Sequence, residues 1–298
     1  AGSGEFLDDV LIVAGDVSDK LGKLEETLGA LAQGFRKVFF TPGNHDLWVP
    51  RDDSFRAESS LDRLVAIATM CDRLGVATSP EWVSAPEGRG VWVAPVLSWH
   101  HSAFDTEPDI VGWDIPPVEA IMVDFGRCRF PGLTMEDPTG TRVDSVARHL
   151  DFLNNQFKDW GRVAEEPCIT FSHFLPRLEL IPEKRFLFFP NLAKAVGSLY
   201  LRPRVESLKP LLHCFGHTHF GWDATLDGVR YIQAALAYPQ ERKQRPGSLE
   251  IGACPAQPLL VYSSRDGPVP QQRARWSDRY QVLPREPWRK EELADYAM

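Results

Sequence analysis

The sequence predicts an α/β protein built from layers of sheet and helix, and three observations carry that prediction. Short apolar runs alternate with segments of helical periodicity from Asp9 onward. Four of those runs end in clusters of Gly, Asp, Asn, Ser and His. The 298 residues are 43% hydrophobic and 25% charged, ordinary globular composition that excludes disorder for most of the chain.

Residues 1–6 (AGSGEF) have the small, flexible composition of a loop or linker remnant, and because position 1 is Ala rather than Met the native N-terminus is expected further upstream. Residues 10–14 (VLIVA) form a buried strand. Leu21, Leu24, Leu28 and Leu31 recur at spacings of three and four, which predicts an amphipathic helix over 20–35. Residues 37–41 (KVFFT) are the next strand, and a second helix over 60–74 follows through Leu61, Leu64, Val65, Ala68 and Cys71. Pro86, Glu87 and Gly88 divide runs 82–84 and 91–97 into a hairpin. Residues 98–141, rich in Pro, Gly, Asp and aromatics and without periodicity, predict a long surface excursion able to carry specificity. Val146, Leu150, Leu153, Phe157 and Trp160 predict one helix over 143–160, and residues 168–171 and 211–215 are further short strands. Asp227-Gly228 predicts a tight hairpin turn within 224–233. The expected organisation is one domain over 7–266, with the excursion inside it, and a C-terminal extension over 267–298 that reads as an irregular wrap or a mobile tail.

Composition narrows the partners. No apolar run approaches the length of a membrane span, and 33 basic against 41 acidic residues is the reverse of a nucleic-acid binder's balance, so neither membrane nor nucleic acid is an expected partner. The composition does not identify protein partners. Five widely spaced cysteines without a C-x-x-C pair fit neither a disulfide framework nor a zinc ribbon, and favour the cytoplasm or another reducing intracellular compartment.

The chemistry gathers at strand ends. VLIVA runs into Gly15-Asp16-Val17-Ser18-Asp19, KVFFTP into Gly43-Asn44-His45-Asp46, CITF into Ser172-His173, and LLHCF into Gly216-His217-Thr218-His219. Open α/β sheets bind ligands at that edge, so residues remote in sequence can meet in one crevice. The Asp, Asn and His side chains of these clusters suit manganese, iron or zinc, whereas magnesium or calcium would favour oxygen donors alone. His217 and His219 are two residues apart, which in extended backbone turns both to one side. Glycines 15, 43 and 216 precede the candidate ligands where a sharp turn or close backbone approach is needed.

The ordered set GDVSD, GNHD, SH and GHTH resembles the calcineurin-like metallophosphoesterase superfamily, over residues 10 to about 233. The resemblance implies a two-layer mixed β-sandwich flanked by helices around two divalent metals, and hydrolysis of a small phosphate monoester or diester through a metal-bound hydroxide. It implies that Asp16 bridges both metals, that Asn44, His173 and His217 complete one site, and that His219 belongs to the other. His45 matches the residue that protonates or orients the leaving oxygen, with Asp19 or Asp46 fixing its ring. An uncoordinated imidazole beside two cations can supply that proton transfer. One motif is missing: the family's Asp-x-His, which supplies two ligands of the second metal on a preceding strand, occurs nowhere in these residues, and Asp8 and Asp9 lie at the wrong end of their strand to replace it. The chain is therefore expected to lack the fold's first strand and to hold one metal rather than two. Either that strand belongs to a missing N-terminal part, or the chain is a mononuclear or inactive derivative, a binding or scaffold protein that keeps the fold.

Bland roles compete at several positions. Asp16 and Asp19 each follow a strand, where Asp caps helices, and His149 and His213 read as ordinary histidines on a helix and in a strand. His100 and His101 are adjacent on extended backbone, so at most one reaches the crevice, and His101 is taken as the substrate contact. Arg51, Arg177 and Arg242 follow the motif segments closely enough to touch a phosphate, although solvation is the commoner fate of an Arg. Phe186, Phe188 and Phe189 read as a loop packed on the sheets, since no basic stripe accompanies them.

Overall fold

The computed structural model describes residues 5–50, 57–85, 87–111, 114–133, 145–252 and 258–289. Its strands are β1 (Val10–Val13), β2 (Lys37–Phe40), β3 (Glu81–Val83), β4 (Val91–Val96), β5 (Cys168–Ser172), β6 (Leu212–Cys214), β7 (Trp222–Leu226), β8 (Val229–Gln233), β9 (Tyr262–Ser263) and β10 (Gly267–Pro268). The helices are α1 (Leu21–Gly34), α2 (Ser60–Leu74), α3 (Val118–Ile121), α4 (Asp124–Arg127), α5 (Ser145–Asn154), α6 (Trp160–Glu165), α7 (Leu201–Leu208), α8 (Pro239–Gln244), α9 (Pro246–Leu249) and α10 (Arg275–Val282). β1 and β2 pair in parallel as one small sheet, and a mixed six-stranded sheet runs in the order β3-β4-β5-β6-β8-β7.

Strand alternation sorts the core into layers. Leu11, Val13, Val38 and Phe40 face Leu24, Leu28, Ile67 and Met70 of α1 and α2. The intervening Val10, Ile12 and Phe39 turn the other way, onto Val91, Val93, Ile169, Phe171, Leu212 and Ile232 of the large sheet. The opposite face of that sheet offers Trp92, Ala94 and Cys168 to Val163 of α6 and Leu208 of α7. Helix, small sheet, large sheet and helix thus stack as the predicted α/β sandwich, and β1, β2, β5 and β6 all end on one side of it.

The structure departs from the sequence reading where periodicity alone was the guide. The single helix expected over 143–160 is two, α5 and α6, separated by a turn in which Asp159 takes a left-handed φ of 69° and the Trp160 indole donates to the Asn154 carbonyl at 2.7 Å. Helices α7 and α10 are short, eight residues each, and too polar to show an apolar period in the sequence. The described part of the 98–141 stretch lies largely at the surface, but it sends Trp99, His100, Phe104, Asp124 and Phe130 into the interior. The Asp227-Gly228 hairpin forms as expected, with positive φ at both residues, 47° and 85°.

Beyond Gly267 the described tail wraps the sheet edge. Asp223 of β7, fully buried, pairs bidentately with Arg230 of β8 at 2.7 and 2.8 Å and also accepts from the Gln272 amide at 2.7 Å. Arg230 in turn donates to the carbonyls of Val269 and Pro270. Trp276 and Tyr280 of α10 then close over Phe186, Phe220 and Trp222. Among the described residues no helix is long and apolar enough to cross a membrane.

This clasp yields a stability prediction. Asp223→Ala strands the Arg230 guanidinium without its carboxylate and should cost about 3–5 kcal/mol, read as a lower midpoint in urea unfolding; a cost within ~0.5 kcal/mol would show that the tail does not depend on the pair.

Candidate metal and active site

Four loops leave the sandwich at its common edge and come so close that side chains are excluded. A Cβ on Gly15, whose φ is +82°, would stand 2.5 Å from the Gly43 nitrogen and 2.6 Å from His173 Nδ1; one on Gly43 would stand 2.2 Å from Asp16 Oδ1. What draws the first two loops together is Asp46, a fully buried carboxylate. Its Oδ2 accepts from the amides of Asp16 and Gly43 at 2.7 and 2.9 Å, and its Oδ1 from those of Val17 and Ser18 at 3.0 Å each. The buried Arg63 donates to the carbonyls of Asp46 and Asp19 from α2. Asp16 completes the junction by accepting the His45 amide on Oδ1 at 3.0 Å.

At the centre lie four donor atoms. His173 Nε2 is 3.0 Å from Asn44 Oδ1, 3.2 Å from His217 Nδ1 and 3.3 Å from Asp16 Oδ2, and His217 Nδ1 is 3.1 Å from Asn44 Oδ1. Asp16, His173 and His217 are the group of ionisable side chains arranged to hold a metal among the described residues. Hydrogen bonds on the far side of each group decide what faces the centre. His173 Nδ1 meets the Ala14 carbonyl at 2.7 Å and His217 Nε2 the Ala195 carbonyl at 2.9 Å. A carbonyl only accepts, so those nitrogens carry the protons and the inward nitrogens offer lone pairs. The Asn44 amide nitrogen donates to Asp124 at 2.8 Å, which turns its oxygen inward. Four lone pairs pointing at one another are repulsive without a positive charge between them. This donor set fits a divalent cation with mixed nitrogen and oxygen preference, and the outer hydrogen bonds are of the kind that orient metal ligands.

The titration behaviour follows the same logic. Burial disfavours charge on His173, but the adjacent Asp16 carboxylate outweighs it and raises the imidazole pKa above its usual value. Burial, followed by that neighbouring His173, pushes His217 down to about 3. Burial would raise Asp16, yet His173 and His45 hold it below the ordinary carboxylate range. Burial and the charge of Asp16 push Asp46 up to about 6.

The other predicted residues scatter. His45 sits at the rim with its side chain 28% exposed, stacked on Trp48 at 3.9 Å between ring centroids. Its Nε2 is 3.9 Å from Asp16 Oδ2 and its Nδ1 3.4 Å from the Tyr238 hydroxyl. Neither expected acid fixes that ring: Asp46 spends both oxygens on backbone amides, and Asp19 contributes its backbone carbonyl to Arg63. His219 turns Nδ1 to Glu241 Oε2 at 2.8 Å. The extended spacing argued for His217 and His219 fails, because β6 ends at Cys214 and both residues are left-handed, with φ of 70° and 54°.

His101 faces away from the cluster, its Nε2 accepting from the Leu199 amide and its ring stacked on Tyr200; the neighbouring His100 is the one near Asp124. Arg177 is at the opposite end of the large sheet, paired with Asp227 of the β7-β8 turn and with Glu179, so it is not placed to touch a phosphate at this edge. Arg242 stands next to Glu241 on α8 and donates to the Leu236 carbonyl. Arg51 lies outside the described residues. Asp124, Tyr238 and Glu241 were missed. None carries a motif, and only the turn-forming context of a Pro at 239 followed by Glu241 could have marked α8.

Asp46 gives a sharp prediction about this junction. Asparagine would present an NH2 to two amide donors, so Asp46→Asn should not rescue Asp46→Ala. Both should destabilise by about 3 kcal/mol or more, since hydrogen bonds to a charged group are worth ~1.5–3 kcal/mol each. Denaturant unfolding of the two variants checks this, and an asparagine variant as stable as the parent would contradict it.

Comparison with known proteins agrees with this geometry. The profile of the calcineurin-like phosphoesterase family matches residues 5–221, from before β1 to past the GHTH cluster. A Mycobacterium tuberculosis protein named acyl-carrier-protein phosphodiesterase PptH is 27% identical over 253 residues, covering 81% of this chain and 73% of that protein. The crystal structure of phosphopantetheinyl hydrolase PptH from Mycobacterium tuberculosis superposes with a TM-score of 0.62 at 21% identity, over 81% of this chain and 85% of that one, a likeness of fold. The strand-end clusters, the layered sandwich and the family profile agree: the chain belongs to the calcineurin-like phosphoesterase family, whose members hydrolyse phosphate esters.

Proposed function

We propose that this protein is a metal-dependent phosphodiesterase acting on a phosphodiester that joins a small group to a larger carrier. The observation that carries the reading is the inward-facing set Asp16, Asn44, His173 and His217, with the uncoordinated His45 at its rim. Diester rather than monoester is favoured by the relative's name, an acyl-carrier-protein phosphodiesterase. Phosphopantetheine attached to an acyl carrier protein is accordingly the first substrate to test.

Manganese, iron or zinc suits the mixed donors. When bound, such an ion neutralises charge on the phosphoryl oxygens and lowers the pKa of water. The chain's own residues do the rest. Asp16, Asn44, His173 and His217 hold the ion. With the Tyr238 hydroxyl as donor to His45 Nδ1, that imidazole carries its proton on Nε2, and Trp48 covers the ring face. His45 then gives the Nε2 proton to the departing oxygen. Arg242, beside the His219 partner Glu241, is the predicted substrate cation that remains near this edge.

A second reading, a catalytically weak binding protein that keeps the fold, is favoured by His219: its Nδ1 is taken by Glu241, and no Asp-x-His stands in this chain to complete a second metal site with it.

Leaving-group dependence tests the role of His45. With added Mn2+, the chain should hydrolyse bis-p-nitrophenyl phosphate faster than p-nitrophenyl phosphate. His45→Ala should lower kcat about 100-fold or more for an alkyl leaving group, and much less for p-nitrophenolate, which departs without a proton. Equal losses for both would remove the acid role from His45. Metal analysis separates the two readings of the centre: one tightly held ion per molecule is expected, lost in His217→Ala and kept in His219→Ala, whereas two tightly held ions would show that other residues complete a second site.

A further inference from the structure

Asp124 lies in the stretch between β4 and α5, where the sequence carries no motif, and it is fully buried together with His100. Its Oδ1 accepts from the Asn44 side-chain amide at 2.8 Å and from the Trp48 indole at 2.6 Å, while Oδ2 stands 3.3 Å from His100 Nε2. Among the described residues the ion pair of this carboxylate is with a histidine. An Asn side chain can present either its oxygen or its NH2 group to a given point, and the difference between the two orientations is set by its hydrogen bonds. A carboxylate accepts only, so Asp124 admits the Asn44 NH2 group and sends Oδ1 toward His173 Nε2 and His217 Nδ1. The same oxygen anchors the indole on which His45 is stacked.

We propose that Asp124 is a positioning residue: one buried anion fixes the Asn44 amide in the orientation that offers oxygen to a divalent cation, and holds Trp48 as the platform of His45. The inference rests on the metal-site reading above and adds a residue to it. Asp124 touches neither metal nor substrate; it acts through Asn44 and Trp48. Without it the Asn44 NH2 group would lose its acceptor, and the amide could turn a donor toward the cation, where it contributes repulsion in place of a ligand.

The test is Mn2+ binding by titration calorimetry on the full chain, with folding followed by circular dichroism. Asp124→Ala should weaken binding about 10–100-fold, the range for loss of a group that orients a metal ligand. Asp124→Asn, which keeps a carbonyl acceptor and the volume, should fold and give an intermediate loss. Added to Asn44→Ala, either change should shift the affinity less than ~2-fold, because the ligand through which Asp124 acts is already gone. A folded Asp124→Asn chain that binds Mn2+ as tightly as the unaltered chain overturns the proposal, and so does an undiminished effect in the Asn44→Ala background. Calorimetry needs no turnover: a chain that hydrolyses no diester yet shows this coupling sinks the phosphodiesterase reading and leaves Asp124 in its role.

Discussion

Everything at the functional edge depends on one carboxylate that never faces the ligand. Asp46 gathers backbone amides from Asp16, Val17, Ser18 and Gly43, binding the loop after β1 to the loop after β2. Parallel β1 and β2 deliver those loops side by side, but sheet hydrogen bonds stop at Val13 and Phe40. Beyond that point the amides would be orphaned in a place that is partly to fully buried, and unpaired buried polar groups are expensive. Asp46 satisfies four of them at once. The metal-facing groups inherit their positions from that junction, since Asp16 and Asn44 are each within two residues of an amide it binds.

Charge balance also favours a cation at the centre. Asp16, Asp46 and Asp124 bring three carboxylates into a small volume, two of them fully buried, and among the described residues the ion pairs of Asp16 and Asp124 are all with histidines. Histidine is a conditional counter-charge. A proton on His173 lowers the repulsion among four inward donors, but it disfavours a second proton on His217, so the cluster cannot neutralise itself by protonation alone. A divalent ion held by Asp16, Asn44, His173 and His217 would supply that positive charge without competing for the Ala14 and Ala195 carbonyls that hold the imidazoles from behind.

The layered fold and the convergence of Asp16, Asn44, His173 and His217 were legible in the sequence for a local reason: each strand is a short apolar run, and each motif follows its strand within a few residues. VLIVA-GD and LLHCF-GH each announce a strand, a turn and a candidate ligand in one stretch, although β1 itself is only half-buried. What was not legible depends on contacts remote in sequence. Asp124 meets Asn44 across 80 positions and Tyr238 meets His45 across 193, and neither lies in a patterned segment. The irregular 98–141 stretch gives no sequence sign of its anchors because burial there is achieved by single side chains, Trp99, His100 and Asp124, rather than by periodic ones. Arg177 misled for the converse reason: it is four residues from His173, but the chain after β5 turns back along the sandwich and delivers it to the β7-β8 turn at the far end.

Strain marks the same edge. Asp16, His217 and His219 all adopt left-handed backbone, with φ of 57°, 70° and 54°, a conformation that costs residues with a Cβ of order 1–3 kcal/mol each and persists only where surroundings impose it. For Asp16 the imposing contacts are visible: its own amide bound by Asp46 and its Oδ1 held by the His45 amide. For His217 they are the Ala195 carbonyl behind and the Asn44 oxygen in front. A glycine at any of these positions would relieve the backbone but delete the donor, so a ligand that must sit on a left-handed turn has to be held there by its neighbours. The dense outer network of Asp46, Asp124, Ala14 and Ala195 is therefore a requirement of the ligand geometry, because a looser shell would let the backbone relax into its common conformations and swing the lone pairs away from a shared centre.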